Sequence, residues 1–181
     1  LYIIAYDWEE DGKAEVVLRG ADNMKVYGSD GQTLKFTVGN MSLNSRNTFN
    51  TTDGQYGWTT ASAEYLIYMN GETGEKYQVI DFPLPRIEES EWNNLTVSVP
   101  YNDYAALKDA NYGNYFTKNT GVLHRAWGDN YGHRSSKYFM GAPVLDGRKA
   151  SLFLGRGIYT RHKMIAMDLD KGSHQWSEKW R

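Results

Sequence analysis

Residues 1–18 read LYIIAYDWEEDGKAEVVL, and the fold reading starts from them. An apolar run from Leu1 ends in a turn after Tyr6, and a β-branched run follows over residues 14–18. Short apolar runs bounded by turn residues read as strands. The turn between them carries Asp7, Glu9 and Asp11 at alternate positions, Gly12 for a sharp bend, and Glu15 at the next strand. A hard cation such as Ca²⁺ takes six to eight oxygen ligands, and alternate carboxylates before a glycine supply them. Asp7, Glu9, Asp11 and Glu15 offer side-chain oxygens, and Lys13 offers a backbone carbonyl. The segment is shorter than an EF-hand and joins strands, not helices. A solvated acidic turn has the same composition, so both readings stand at this point.

Outward from this stretch, strand signals continue. Residues 64–69 read as a strand, with Asn70-Gly71 and Thr73-Gly74 as the turn after it. Residues 77–82 resume as a strand that Pro83 and Pro85 stop. Residues 151–154, 164–169 and 174–180 read as three consecutive strands, with Lys171-Gly172 as the turn before the last. Strand alternation places Trp176, Glu178 and Trp180 on one face. Residues 101–111 have a helical pattern, whereas 32–59 and 87–126 have no clear periodicity. The expected domain is one unit over 1–181 with a long insertion near 87–126. Short strands with tight turns suit an all-β sandwich, barrel or propeller. Propeller repeats run to about 40–50 residues, so this chain supplies only a few blades. A few blades leave open edges, which implies a smaller fold or a part of a larger protein.

Composition narrows the function. The 181 residues carry a formal charge of −2, which argues against a nucleic-acid partner. Aromatic residues make up 14%, including 14 Tyr and 6 Trp. Such rings serve as flat carbohydrate platforms, although β-proteins are aromatic-rich in any case. The absence of cysteine excludes disulfides and thiolate zinc sites. No apolar run approaches the ~20 residues of a membrane span. Leu1 opens directly on an apolar strand, so the start reads as a cut from which a signal and earlier sequence are missing.

Two more segments carry chemistry. Residues 156–163, RGIYTRHK, concentrate cationic and titratable groups between two apolar strands. Arginine forms a planar bidentate fork for carboxylates, so Arg156 and Arg161 beside Tyr159 suit an anionic sugar such as a uronate. An ordinary charged turn is the alternative. Residues 127–134, WGDNYGHR, use glycines for tight backbone paths. There His133 has the chemistry of a base, a ligand or a structural hydrogen-bonder.

The acidic turn resembles the calcium loops of FG-GAP-type propeller repeats, with Glu9 where Asp or Asn is usual. Taken together, four blocks resemble rhamnogalacturonan lyases of polysaccharide lyase family 11, in the same order. They are YDWEEDGKAEVVLRGAD (6–22), EYLIYMNGETGEKYQVIDFPLPR (64–86), WGDNYGHRSSKYFMGAPVLDG (127–147), and 151–169 with its core RGIYTR. The resemblance implies blades of an eight-bladed β-propeller, and calcium-dependent β-elimination on the rhamnogalacturonan I backbone of pectin. It implies metal ligation by Asp7, Asp11, Glu15 and Asp22, and a catalytic face with Arg156, Tyr159 and Arg161. It implies substrate contacts from Asp129, Tyr131 and Arg134, to which His133 and His162 are added as candidates. Departures from the family pattern fall at Arg19-Gly20-Ala21-Asp22-Asn23, at His133 and at Ser136-Lys137.

The expected partners are an acidic plant cell-wall polysaccharide and the remainder of the chain's own propeller. The expected location is secreted, periplasmic or on a bacterial cell surface. Elimination at a uronate removes the C5 proton while a cation holds the carboxylate charge. Arg156 and Arg161 take that charge, Tyr159 contacts the sugar or delivers a proton, and the base is His162, Lys163 or a residue outside this chain. A non-catalytic calcium-stabilised module that binds acidic polysaccharide or a protein is the alternative.

Overall fold

A computed structural model describes residues 2–21, 24–38, 64–85, 127, 135 and 137–181. Among these residues the elements are all strands. They are β1 (Tyr2–Tyr6), β2 (Glu15–Ala21), β3 (Lys25–Tyr27), β4 (Leu34–Thr37), β5 (Glu64–Asn70), β6 (Lys76–Asp81), β7 (Tyr138–Gly141), β8 (Leu152–Arg156), β9 (Lys163–Asp170) and β10 (Gln175–Trp180). They form two four-stranded antiparallel sheets, ordered β1-β2-β5-β6 and β10-β9-β8-β7, with β3-β4 as a separate hairpin.

The sequence of β5, EYLIYMN, shows why the sheets stack as they do. Its residues from Glu64 to Tyr68 are all buried, whereas a sheet open to water on one face would alternate. Leu66 and Tyr68 face the second sheet and join Val17, Leu152, Leu154, Ile165, Met167 and Trp176 in the main core. Tyr65 and Ile67 face the other way, with Leu18 and Val38, where Val26 and Phe36 of the hairpin pack over them. The hairpin inserted between β2 and β5 thus supplies the second cover. Gly71 lets the following turn approach β2: a Cβ there would lie 2.1 Å from the Ala14 carbonyl oxygen.

Expected and observed strands coincide at β1, β2, β5, β6, β8, β9 and β10, with shifted ends. Strands β3, β4 and β7 were not foreseen, and β4 lies inside the stretch read as unpatterned. The expected helix at 101–111 lies outside the described residues. One register expectation is corrected. A bulge between Glu178 and Trp180 in the β9–β10 pairing shifts the alternation by one residue. Trp176 is therefore buried, against Trp8 and Tyr68 with ring centroids 5.4 and 5.5 Å away. Trp180 turns to the opposite face, 6.2 Å from the Phe153 ring, and is 41% exposed.

Candidate functional site

The acidic turn between β1 and β2 folds on its own carboxylates. The amides of Asp11 and Gly12 donate to Asp7 Oδ1 and Oδ2 at 3.0 and 2.9 Å, and that of Lys13 donates to Asp11 Oδ1 at 2.9 Å. Trp8 and Glu9 amides donate to Glu15 Oε2 at 2.9 and 3.2 Å. Glu10 and Gly12 take positive φ, 59° and 87°, which brings the chain round in so few residues. As a result, carboxylate oxygens of Asp7, Asp11 and Glu15 lie within 4.8 Å of one another. Lys13 Nζ points away, to Glu72 at 2.5 Å. Burial pushes the Glu15 carboxyl up from its ordinary value, although the two amides and the neighbouring chain oppose and add to that in turn. Three converging carboxylates, one of them buried, fit a divalent cation with oxygen ligands.

Glu9 does not join them. Its Oε1 accepts from the Tyr68 hydroxyl at 2.8 Å and pairs with His174 Nδ1 at 2.8 Å, while His174 stacks on Tyr77 with centroids 4.4 Å apart. Burial and the Glu9 contact push the Tyr68 hydroxyl well above the usual phenol range. The longer side chain at this position thus ties the turn to β5 and to the β9–β10 turn. Glu10 does the same through Lys171, at 2.5 Å. Asp22 lies outside the described residues.

The arginine-rich turn corrects the expectation of an exposed cation at Arg156. Its side chain is fully buried. Nη1 donates to Glu64 Oε2 at 2.7 Å and to the Leu84 carbonyl at 2.8 Å, and Nε donates to the Ser135 carbonyl at 2.5 Å. The guanidinium lies 5.3 Å from the Trp127 ring centroid and 5.0 Å from that of Tyr138. Glu64 also pairs with Arg19 at 2.9 Å and accepts from the Tyr138 hydroxyl. The physical reason is the strand end: Arg156 closes β8 on the face that meets β5, where Glu64 opens that strand. Nor do the flanking glycines leave room for a ligand. A Cβ on Gly157, at φ 109°, would sit 2.3 Å from the Arg161 carbonyl oxygen, and one on Gly155 would touch Phe139.

Beyond Arg156 the turn reaches solvent. Tyr159, at φ 51°, is 81% exposed. Arg161 and His162 are exposed as well, with His162 stacked over Phe139 at 6.5 Å. The turn is anchored on Trp127, whose carbonyl accepts from the Arg161 amide at 2.8 Å and from the Thr160 hydroxyl. Lys163 Nζ lies 4.7 Å from the Trp127 ring centroid. Asp129, Tyr131, His133 and Arg134 lie outside the described residues. Sequence reasoning missed Glu64, Tyr138 and Trp127 as partners of Arg156. The available signal was a glutamate opening an otherwise apolar strand, since a carboxylate is rarely fully buried unless paired.

Comparison with known proteins gives consistent matches. The family described as "Rhamnogalacturonan lyase family 11, C-terminal domain" matches residues 2–97 and 105–181. The chain is 28% identical to the rhamnogalacturonan exolyase YesX of Bacillus subtilis (strain 168) over 169 residues, covering 93% of this chain and 20% of YesX. It is 27% identical to the rhamnogalacturonan endolyase YesW of the same organism, with the same coverage of 93% and 20%. The crystal structure of YesX superposes with a TM-score of 0.59 at 26% identity, over 99% of this chain and 21% of that one. That of YesW gives 0.58 at 25% identity, over 99% and 22%. The chain therefore spans about a fifth of the length of the curated relatives it matches.

Proposed function

Since the chain belongs to the C-terminal domain family of family 11 rhamnogalacturonan lyases, we propose that it is part of a calcium-dependent lyase. This lyase cleaves the rhamnogalacturonan I backbone of pectin by β-elimination. The observation that carries the reading is the family match across nearly the whole chain. Two four-stranded antiparallel sheets, each a candidate blade, support a partial β-propeller whose remainder lies elsewhere in the protein. The similar identities to an exolyase and an endolyase leave both modes of cleavage open to this branch. Secretion or cell-surface display by a bacterium follows from a polymeric plant substrate. Among the described residues no helix is long and apolar enough to cross a membrane.

In this reading Asp7, Asp11 and Glu15 hold Ca²⁺, with the Lys13 carbonyl and Asp22 as further oxygens. The ion would supply positive charge there and fix the β1–β2 turn. At the other turn, the buried Arg156–Glu64 pair sets the end of β8 and so positions the segment that follows it. Tyr159 and Arg161 are then the side chains that meet substrate. Arg161 neutralises a uronate carboxylate, which makes the adjacent C5 proton more acidic, and Tyr159 contacts the sugar or delivers a proton to the departing C4 oxygen. His162 and Lys163 are the nearby candidate bases, and Asp129, Tyr131, His133 and Arg134 complete the substrate contacts.

The test is direct. Incubation of the full-length protein with rhamnogalacturonan I should generate a 4,5-unsaturated product that absorbs in the ultraviolet, and Arg161→Ala should lower that rate by about 10²-fold. Binding without new absorbance would replace the lyase reading by the non-catalytic one, a calcium-stabilised module for acidic polysaccharide or a protein partner. The inward turn of Arg156 favours that second reading, because it withdraws one expected cation from the substrate side.

A further inference from the structure

Away from both turns, the β3–β4 hairpin and the β5–β6 turn flank an open surface hollow of about 410 Å³. Its lining is Lys35, Phe36, Thr73, Gly74, Glu75 and Lys76. The volume falls within the range of small-molecule sites. We infer that this hollow binds one uronic acid unit of an acidic polysaccharide, with Lys35 and Lys76 on its carboxylate. The class of polysaccharide rests on the proposed function, and the site extends it to a second contact on the chain.

Three features carry the assignment. The first is exposed positive charge. Both lysines are exposed and line the hollow, and Lys35 also lies in the field of Asp30. Lys13, Lys171 and Lys179 each hold a carboxylate, at 2.5, 2.5 and 2.9 Å. Asp30 feels the Lys35 charge, but its carboxylate is held by the amides of Gln32 and Thr33 at 2.9 and 2.8 Å. The second feature is an apolar wall: Lys76 Nζ sits 6.0 Å from the centroid of the half-buried Phe36 ring. A sugar ring presents C–H groups to such a face while its acid group meets the ammonium.

The third feature is a preformed polar edge. Asn70 Oδ1 accepts the Glu72 and Thr73 amides at 2.9 and 2.8 Å, and Gly74 N donates to the Asn70 carbonyl at 3.0 Å. Gly74 takes φ 70°, and a Cβ there would lie 3.6 Å from Lys35 Cγ, so the lysine stem runs close along the turn. Thr73 Oγ1 already accepts the Glu75 amide at 3.2 Å, which leaves its hydroxyl proton to donate. The Glu75 carboxylate, on the rim, accepts from sugar hydroxyls. Two ammoniums, with Glu75 on the rim and Asp30 held by its own loop's amides, match a monoanionic, hydroxylated ring. A phosphate dianion would meet the repulsion of Glu75 and gain nothing from Phe36.

Affinity electrophoresis of the full chain in gels containing rhamnogalacturonan I tests the site, with neutral galactan gels as control. Exposed ion pairs are each worth up to about 1 kcal/mol, so K35Q/K76Q should weaken retention about tenfold. Glu75→Gln should tighten retention by about twofold, because it removes a repulsive charge while keeping an acceptor. All three positions are exposed, so folding is expected to be unchanged, as circular dichroism would verify. Wild-type retention of K35Q/K76Q overturns the assignment. So does competition by inorganic phosphate as strong as that by a galacturonate oligosaccharide, which would make the hollow a general anion site. Elimination by the full-length protein, read in the ultraviolet, separates the two claims. Lysine-dependent retention without elimination rejects the lyase reading alone, and elimination with lysine-independent retention rejects this site alone.

Discussion

The two charged turns of this chain look alike in sequence and behave oppositely in the fold. Each links neighbouring antiparallel strands and gathers charged residues, mostly acidic in the first and basic in the second. In the β1–β2 turn the backbone supplies the donors, and three carboxylates end up facing one another within 4.8 Å. In the β8–β9 turn the leading cation is drawn inside, where Glu64 meets it at 2.7 Å from a strand 92 residues away. The first turn leaves three carboxylates facing one another. In the second, the protein itself pairs the leading cation. Like charges on a short loop are therefore a candidate site only where no buried counter-charge in the neighbouring sheet takes them up.

The largest expected effect tests the buried half of this contrast. Glu64→Ala leaves the Arg156 guanidinium without its carboxylate at full burial, and breaking a buried pair costs about 3–5 kcal/mol; Arg156→Ala costs less, because Glu64 keeps Arg19 at 2.9 Å. Urea denaturation should show the midpoint falling accordingly. Replacing the whole charged group, as in R156M/E64L/R19M, should recover much of the loss, because well-packed apolar groups often substitute for buried ion pairs and triads at little cost. If Arg156→Ala leaves the midpoint unchanged, the guanidinium does not hold the two sheets together and the contrast breaks.

The next effect tests the open half. A ligand that binds only the folded chain stabilises it by about 2.7 kcal/mol at a hundredfold excess over Kd. Added Ca²⁺ should raise the melting temperature and chelator should reverse the rise. Asp11→Asn should abolish the response, since Asp11 Oδ2 is uncommitted to the turn's own amides. Glu9→Gln should keep it, because Glu9 is engaged with Tyr68 and His174. A calcium response lost in Glu9→Gln and kept in Asp11→Asn would place the ion elsewhere.

How far the sequence reaches follows the same contrast. Local features were legible: the apolar runs of β1, β5 and β9, the stop at Pro83, and the carboxylate spacing in residues 7–15 all depend on neighbours along the chain. What depended on distant partners was not. β3, β4 and β7 span three or four residues each, too short for alternation to register. The bulge before Trp180 inverts a face without leaving a composition signal. Glu9 looked like a ligand by spacing, and only the approach of Tyr68 and His174 turns it away. The inward fate of Arg156 required knowing that β5 opens with Glu64 beneath it.

The smallest expected effect lies between these extremes, at a half-exposed charge on the outer face of the second sheet. Asp168 accepts from Ser151 Oγ at 2.7 Å and pairs with Lys179 at 2.9 Å, with 24% of its side chain exposed. Burial pushes this carboxyl up, but the Ser151 hydroxyl and Lys179 together outweigh it and hold it below the ordinary value of 3.8. Because the folded chain binds the proton less readily than the unfolded one, Asp168 stabilises at pH above 3.8, and that stability is lost as pH falls through the lowered value. A partly exposed pair of this kind is worth about 1 kcal/mol or less. Asp168→Asn should therefore lower stability by about that much at neutral pH. The gap to the wild type should narrow on acidification below 3.8 and shrink in high salt, where surface pairs are screened. The buried Arg156–Glu64 pair should show little of that salt dependence. A gap at Asp168 that persists unchanged in acid would mean that hydrogen-bond geometry at Ser151, not charge, is what the carboxylate contributes.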